Sequence, residues 1–235
     1  MSFLPVNRRI LAFKVSRSPG VLALCWLLCC FVPLHLGLAW DADRVQAAAA
    51  RHGENALMGV RLLRQVVAPI QGQSELVQVN TINEFYNRRV LFREDQDNWG
   101  QPDYWTSPLE LLQRGAGDCE DYAIAKYFTL TAMGVPHKKL RMVYVRAVMG
   151  GPGGPSVAHM VLAYYPTPDA EPLVLDNLIT EVRPAGRRPD LTPVFSFNAE
   201  GLWEGVSAVN VAGNPSERLS RWRDILRRAA LDGLY

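Results

Sequence analysis

The sequence predicts an α+β fold, and three observations carry that reading. Apolar residues recur at three- and four-residue spacing in ALMGVRLLRQVV, in LVQVNTINEFYNRRVLF and in DYAIAKYFTLTAMG, the mark of helices with a buried face. From about Leu140 the period changes to two, and LRMVYVRAVM, VAHMVLAYYP and PLVLDNL read as strands rich in Val, Tyr and Leu. The links between those strands, GGPGGPS and PTPDAE, are short and turn-rich, so hairpin loops are expected, not crossovers.

The elements follow in order. From Asp41 to about Phe92 the pattern is helical, interrupted by GQ-type breaks. REDQDNWGQPDYW is polar, aromatic and rich in turn residues, and is expected to be a surface loop. Ser107 is placed to cap a short helix, with Pro108 at its first position and Gly115 as its stop. The stretch GDCEDYA then opens a helix whose broad apolar face holds Ala123, Ile124, Tyr127, Phe128 and Leu130, and Gly134 with Pro136 ends it. After the three strands, PVFSFN is expected to form a shorter one. SERLSRWRDILRRAALDGL reads as an amphipathic C-terminal helix capped by Ser216.

The first 39 residues differ from the rest. They contain no Asp or Glu, carry Arg8, Arg9, Lys14 and Arg17, and continue into VLALCWLLCCFVPLHLGLA. A basic start, an apolar centre and a small-residue end before Trp40 read as a secretory signal peptide over 1–39, with the folded domain at 40–235. A retained anchor is the alternative, but Pro33 and His35 inside the apolar run disfavour a stable span of about 20 residues.

Removing the four leader cations turns the formal +2 into 21 basic against 23 acidic residues. Nothing then suggests a nucleic-acid surface, which needs clustered Lys and Arg. Cys25, Cys29 and Cys30 leave with the leader, so the mature chain keeps only Cys119 and forms no internal disulfide. A lone thiol in an oxidising compartment is a chemical liability, which makes Cys119 a candidate nucleophile, an inert buried thiol being the plainer reading.

Two further residues join it. His159 alternates with Val157, Val161 and Ala163 along its strand, where a satisfied core histidine is commoner than a catalyst. Asp176 ends the next strand, a position usually occupied by a turn or cap residue. Their order raises both: a thiol at a helix start, a His on one strand and an Asp on the next is the set that thiolate–imidazolium catalysis uses. Asp118, Glu120 and Asp121 crowd the same helix start. Favourable charge at a helix N-terminus accounts for one or two of them. Three beside a thiol would blunt it unless a hard cation such as Ca²⁺ neutralised them, so a metal site is weighed equally with the plain reading. GGPGGPS lacks the Lys-Ser/Thr ending of a phosphate loop and is read as a turn. His52 and His137 are expected at the surface.

GDCEDYAIAKYFTL, then GVP, then strands carrying AHMVL and VLDN, resembles the bacterial transglutaminase-like cysteine proteinases over the mature chain, from about Ala47 to about Asp224. The resemblance implies a papain/transglutaminase-like fold, N-terminal helices and a nucleophile-bearing helix packed on an antiparallel sheet. It implies Cys119 as nucleophile, His159 as general base and acid, and Asp176 as the residue orienting His159. It associates Asp118, Glu120 and Asp121 with calcium dependence. It implies a periplasmic endopeptidase that cuts the N-terminal region of a large repeat-containing surface adhesin at an Ala-Ala type site, releasing it from biofilm. An inhibitory partner is implied as well, the periplasmic domain of an inner-membrane cyclic-di-GMP receptor. The Cys119 backbone N–H is a natural oxyanion donor, with a second expected from the loop before Ser107. Two other functions fit the same residues: a transglutaminase or protein amidase with the same acyl-enzyme, and a non-catalytic binding module, whose signature would be a missing triad member.

Overall fold

The computed structural model describes residues 41–235 apart from 208, 213, 214, 216 and 217. The leader and the proposed cap Ser216 lie outside the described residues. Helix α1 (Ala42–His52) is capped by Asp41, whose carboxylate accepts the Arg44 N–H, and is followed by α2 (Glu54–Val67). Ser74 caps α3 (Glu75–Arg89). All three bury stripes at helical spacing, Val45, Ala48 and Ala49 on α1, Val60 and Leu63 on α2, Val79, Ile82 and Tyr86 on α3.

The segment expected as a surface loop holds more structure than its polarity suggested. Strand β1 (Leu91–Phe92) is followed by a short helix α4 (Asp95–Trp99), and both Asp95 and Asn98 are buried. Asn98 donates to the Ala116 carbonyl, and Arg114 grips Asn98, so polar side chains bond inward where apolar ones would ordinarily pack. Helix α5 (Pro108–Arg114) forms as its sequence dictates. The Ser107 Oγ accepts the Glu110 N–H, the Glu110 carboxylate accepts the Ser107 N–H, and Gly115 ends the helix at φ 69°, a left-handed conformation that only glycine adopts freely.

Strand β2 (Ala116–Gly117) pairs in parallel with β1 and leads directly into α6 (Cys119–Ala132). Helix α6 is buried on nearly every side, because α3 and α5 cover it on one flank and the sheet on the other. The single apolar face read from its sequence therefore understates its burial, and even Lys126 is enclosed.

The strands β3 (Leu140–Val148), β4 (Ser156–Tyr164), β5 (Leu173–Leu175), β6 (Arg183–Pro184), β7 (Leu191–Phe197), β8 (Leu202–Glu204) and β9 (Asn210–Ala212) form one antiparallel sheet in the order β6-β5-β4-β3-β7-β8-β9. The expected hairpins are present, β3 pairing with β4 from Leu140 opposite Tyr164 to Val148 opposite Ser156. All but Asn198 of the expected short strand PVFSFN falls in seven-residue β7, which begins two residues earlier, beside the central β3. Alternation splits the sheet: Met142, Met160, Leu162 and Leu175 face the helices, while Val143, Val145, Val161 and Ala163 form a smaller cluster with Tyr165 and Val174.

Helix α7 (Ser220–Leu231) begins after Leu219. Its Trp222 is wholly buried against Phe128 of α6 and Phe197 of β7 and donates from Nε1 to the Asn198 carbonyl, which fastens the C-terminal helix to the end of β7. The two histidines expected at the surface are half-buried and bonded, His52 to Asp232 and His137 to the Tyr127 hydroxyl. No helix of the described residues is long and apolar enough to cross a membrane.

Candidate active site

A cleft of about 1150 Å³ opens where the start of α6 meets β4, and Cys119, His159, Asp118 and Glu120 all line it. Trp105, stacked on Phe197 at 6.1 Å, and Tyr144, stacked on Phe195 at 5.2 Å, give it aromatic walls.

Helix α6 presents the thiol. Gly117 precedes it at a position where a Cβ would collide with Asp121 and sit 2.7 Å from Leu111 Cδ1, so the chain can enter the helix this closely only without a side chain. Asp118 is the N-cap, and its N–H donates to Asp121 Oδ2 at 3.3 Å. Cys119 is the first helical residue, the position where backbone N–H groups have no intrahelical acceptor. The Met160 backbone lies against the thiol, which brings β4, and with it the neighbouring His159, to the nucleophile.

The sheet presents the other two residues. His159 is 5% exposed and Asp176 1%, and His159 Nε2 lies 2.8 Å from Asp176 Oδ1. The Leu178 N–H also donates to Oδ1 at 3.1 Å, and Arg188 Nη2 donates to Oδ2 at 2.7 Å. Burial opposes ionisation of Asp176, but the hydrogen bond and charge of His159, the Leu178 N–H and Arg188 outweigh it and hold the acid near 2. A carboxylate that stays ionised can only accept a hydrogen bond here, with Nε2–H as the donor. That places the imidazole hydrogen on Nε2 and leaves Nδ1 as the basic nitrogen.

The helix side has the opposite electrostatics. Cys119 Sγ donates to Glu120 Oε2 at 3.1 Å. Burial pushes the thiol far above its ordinary range, and the charge and hydrogen bond of Glu120, then the charge of Asp118, push it further. Asp118 itself is raised by burial and then by Glu120, Asp121 and Asp95. Asp121, raised to about 7 chiefly by burial, accepts the Thr106 N–H on Oδ1 at 2.8 Å. Asp95 enters from α4 because the β1–β2 pairing lays residue 93 against Gly117, the Arg93 N–H donating to the Gly117 carbonyl at 3.0 Å. Burial, with Glu120, Asp103 and Glu94 adding to it, raises Asp95 to about 6.

Asp118 with Cys119 and Glu120, Asp95 with Asp118 and Asp121, and Asp95 with Asp103 and Glu120 each converge within 4.8 Å. Oδ1 of Asp95 and Oδ1 of Asp118 are buried and find no hydrogen-bond partner among the described residues. Orphaned carboxylate oxygens in an all-acidic cluster fit a hard divalent cation, which takes oxygen ligands and repays their desolvation. Asp118, Glu120 and Asp121, the acidic residues expected from the sequence, all lie here. Asp95 and Asp103 join them from a polar segment in which acidity is their only sequence signal, and no local pattern marks Arg188.

The family description "bacterial transglutaminase-like cysteine proteinase" matches residues 63–189. Among solved structures, Legionella pneumophila LapG is similar at 36% identity and TM-score 0.67, covering 80% of this chain and 96% of that one. EGTA-treated LapG from the same organism gives a TM-score of 0.68 at 36% identity over the same shares. The calcium-bound form gives 0.67 at 36% identity, covering 80% of this chain and 98% of that one. No curated protein matches the chain.

Proposed function

This chain belongs to the bacterial transglutaminase-like cysteine proteinases and is a cysteine protease of LapG type, and from that premise we propose that it is an exported, calcium-dependent endopeptidase acting through Cys119, His159 and Asp176. The observation that carries the reading is the meeting of Cys119 and His159 on one cleft, with the His159 ring held by a buried, ionised Asp176.

His159 Nδ1 takes the thiol proton, and the resulting thiolate attacks the scissile carbonyl carbon. The tetrahedral oxyanion is received at the start of α6, where the Cys119 N–H has no intrahelical acceptor. His159 returns the proton to the departing amine as the C–N bond breaks, leaving a thioester on Cys119. Water, deprotonated by the same nitrogen, then releases the new carboxylate and regenerates the thiol. Asp176 keeps Nε2–H in place throughout and stabilises the imidazolium that forms.

Asp118, Glu120 and Asp95, with Asp103 and Asp121 alongside, are the residues that would hold Ca²⁺. Bound there, the cation would supply positive charge that offsets the carboxylates beside Cys119, and Glu120, the acceptor of the thiol's hydrogen bond, would be among the residues that hold it. The calcium-bound LapG structure supports the use of calcium. The substrate is the N-terminal region of a large repeat-containing surface adhesin, cut at an Ala-Ala type site in the periplasm to release adhesin and disperse biofilm. The inhibitory partner is the periplasmic domain of an inner-membrane cyclic-di-GMP receptor.

The test is incubation of the purified protein with the same organism's adhesin N-terminal region, with Ca²⁺ or with EGTA, followed by mass spectrometry. Backbone cleavage between small residues, in Ca²⁺ alone, is expected. A deamidated glutamine or an isopeptide bond without cleavage would overturn it in favour of amidase or transglutaminase chemistry.

A further inference from the structure

We propose that Arg188 is a positioning residue for the catalytic pair, acting through Asp176; this rests on the triad reading above. Arg188 leaves the turn at Ala185–Arg187, where its N–H donates to the Ala185 carbonyl at 2.9 Å and its own carbonyl accepts the Leu191 N–H at 3.1 Å. The backbone is thus fixed on both sides of the residue. Its side chain is 2% exposed and reaches Asp176, whose side chain is fully enclosed.

The geometry shows what the arginine does there. Asp176 Oδ1 is already occupied by His159 Nε2 at 2.8 Å and the Leu178 N–H at 3.1 Å. Oδ2 accepts from Arg188 Nη2 at 2.7 Å, a bond that stops the carboxylate from turning about its own axis. Arg188 is held in turn by Asp190, with Nε donating at 3.0 Å to Oδ1 and Nη2 at 2.7 Å to Oδ2. The planar fork serves both carboxylates in one fixed geometry, so a lysine would keep the charge and lose that geometry.

The charged groups facing Asp176 are His159 from β4, Arg188 with Asp190 behind it, and Lys126 from α6. Lys126 Nζ is buried without a hydrogen-bond partner, and burial lowers it to about 7 against the opposing charge of Asp176. A buried amine near neutrality is a weak second cation. Arg188 is therefore the permanent charge that balances Asp176 while His159 cycles between its neutral and charged forms.

The plain alternative is a structural tie between the turn and the sheet, since buried ion pairs can often be replaced with little loss. The two roles separate by coupling. Arg188→Met and Arg188→Lys should be made in the full chain, each alone and together with Asp176→Asn, and measured with saturating Ca²⁺. Three readouts apply: kcat and KM for adhesin-segment cleavage, the rate of Cys119 alkylation by iodoacetamide, and thermal stability. Arg188→Met should lower kcat about 10- to 100-fold with KM changed less than about twofold, and Arg188→Lys should recover part of the loss. In the Asp176→Asn background, adding Arg188→Met should cost less than about twofold more.

A full multiplicative loss in that background, or an unchanged kcat in folded Arg188→Met, overturns the proposal. If Arg188→Met does not fold, Asp190→Asn, which frees one side of the fork, should lower kcat about 3- to 10-fold in a manner that Asp176→Asn abolishes; an unchanged kcat overturns it equally. Alkylation needs no substrate and keeps the two readings distinguishable. Should the wild type cut no adhesin while Arg188→Met still slows alkylation only when Asp176 is present, the adhesin assignment fails and the positioning role stands.

Discussion

On the sheet side of the cleft each charge has a partner: His159 meets Asp176, Asp176 meets Arg188, and Arg188 meets Asp190. On the helix side Asp95, Asp118, Glu120 and Asp121 crowd one another, and two of their buried oxygens have no hydrogen bond. Asp103 is balanced only outwardly, by Arg221 at 2.8 Å. The same chemistry, buried carboxylates beside a catalytic group, thus has two outcomes. Asp176 is held near 2, whereas Asp95 and Asp121 are pushed to about 6 and 7. Burial opposes ionisation in both halves; cations from the chain itself overcome it at Asp176, and the acidic cluster on the helix side, which lacks them, has the chemistry to fit a cation from solution.

The largest expected effect tests whether the halves act together. Cys119→Ala on the helix and His159→Ala on the sheet should each lower adhesin cleavage at least about a thousandfold, with circular dichroism unchanged. Retained cleavage in either variant breaks the shared site.

Calcium should act on the helix half alone. Alkylation of Cys119 at pH 7.5 should be at least about tenfold faster in Ca²⁺ than in EGTA, because Glu120 and Asp118 raise the thiol and the cation offsets both. Asp118→Asn should raise the melting temperature of the EGTA-treated protein by removing a carboxyl group whose ionisation burial and its acidic neighbours oppose in the folded state. It should also weaken the Ca²⁺ midpoint at least about tenfold. Equal responses in Asp118→Asn and the unaltered protein would move the cation elsewhere.

The pH dependence of stability should also divide. Asp95 and Asp121 have folded values above the unfolded value of about 3.9, so their contribution is full below that pH and is lost as pH rises through 6 and 7. Asp176 has the opposite sign, contributing above about 3.9 and losing its contribution as pH falls towards 2. Thermal melts in EGTA should therefore show falling stability from pH 5 to pH 8, and saturating Ca²⁺ should remove that fall. A profile flat in EGTA would contradict the unbalanced helix half.

The smallest effect is the control. Ser107→Ala removes the Oγ that accepts the Glu110 N–H and should cost about 1 kcal/mol, seen as a lower melting temperature. The Ca²⁺ midpoint should stay within about twofold, since Ser107 belongs to neither charged cluster.

The sequence by itself determined the elements whose causes are local. The change of period near Leu140 marked the sheet, and Ser107, Pro108 and Gly115 bounded α5 where they were expected. The start of GDCEDYA put Cys119 at the head of α6, and the order of Cys119, His159 and Asp176 named the two residues that line the cleft, Cys119 and His159, and the carboxylate bonded behind His159. Spacing and capping act within a few residues, so they can be read along the chain. The tertiary structure decided the rest. Asp95 joins the acidic cluster only because β1 pairs with β2, across 24 residues of sequence, and Arg188 reaches Asp176 only because the turn after β6 folds back over β5. Neither pairing leaves a local pattern, since a buried charge is specified by what packs against it and not by its neighbours in the chain.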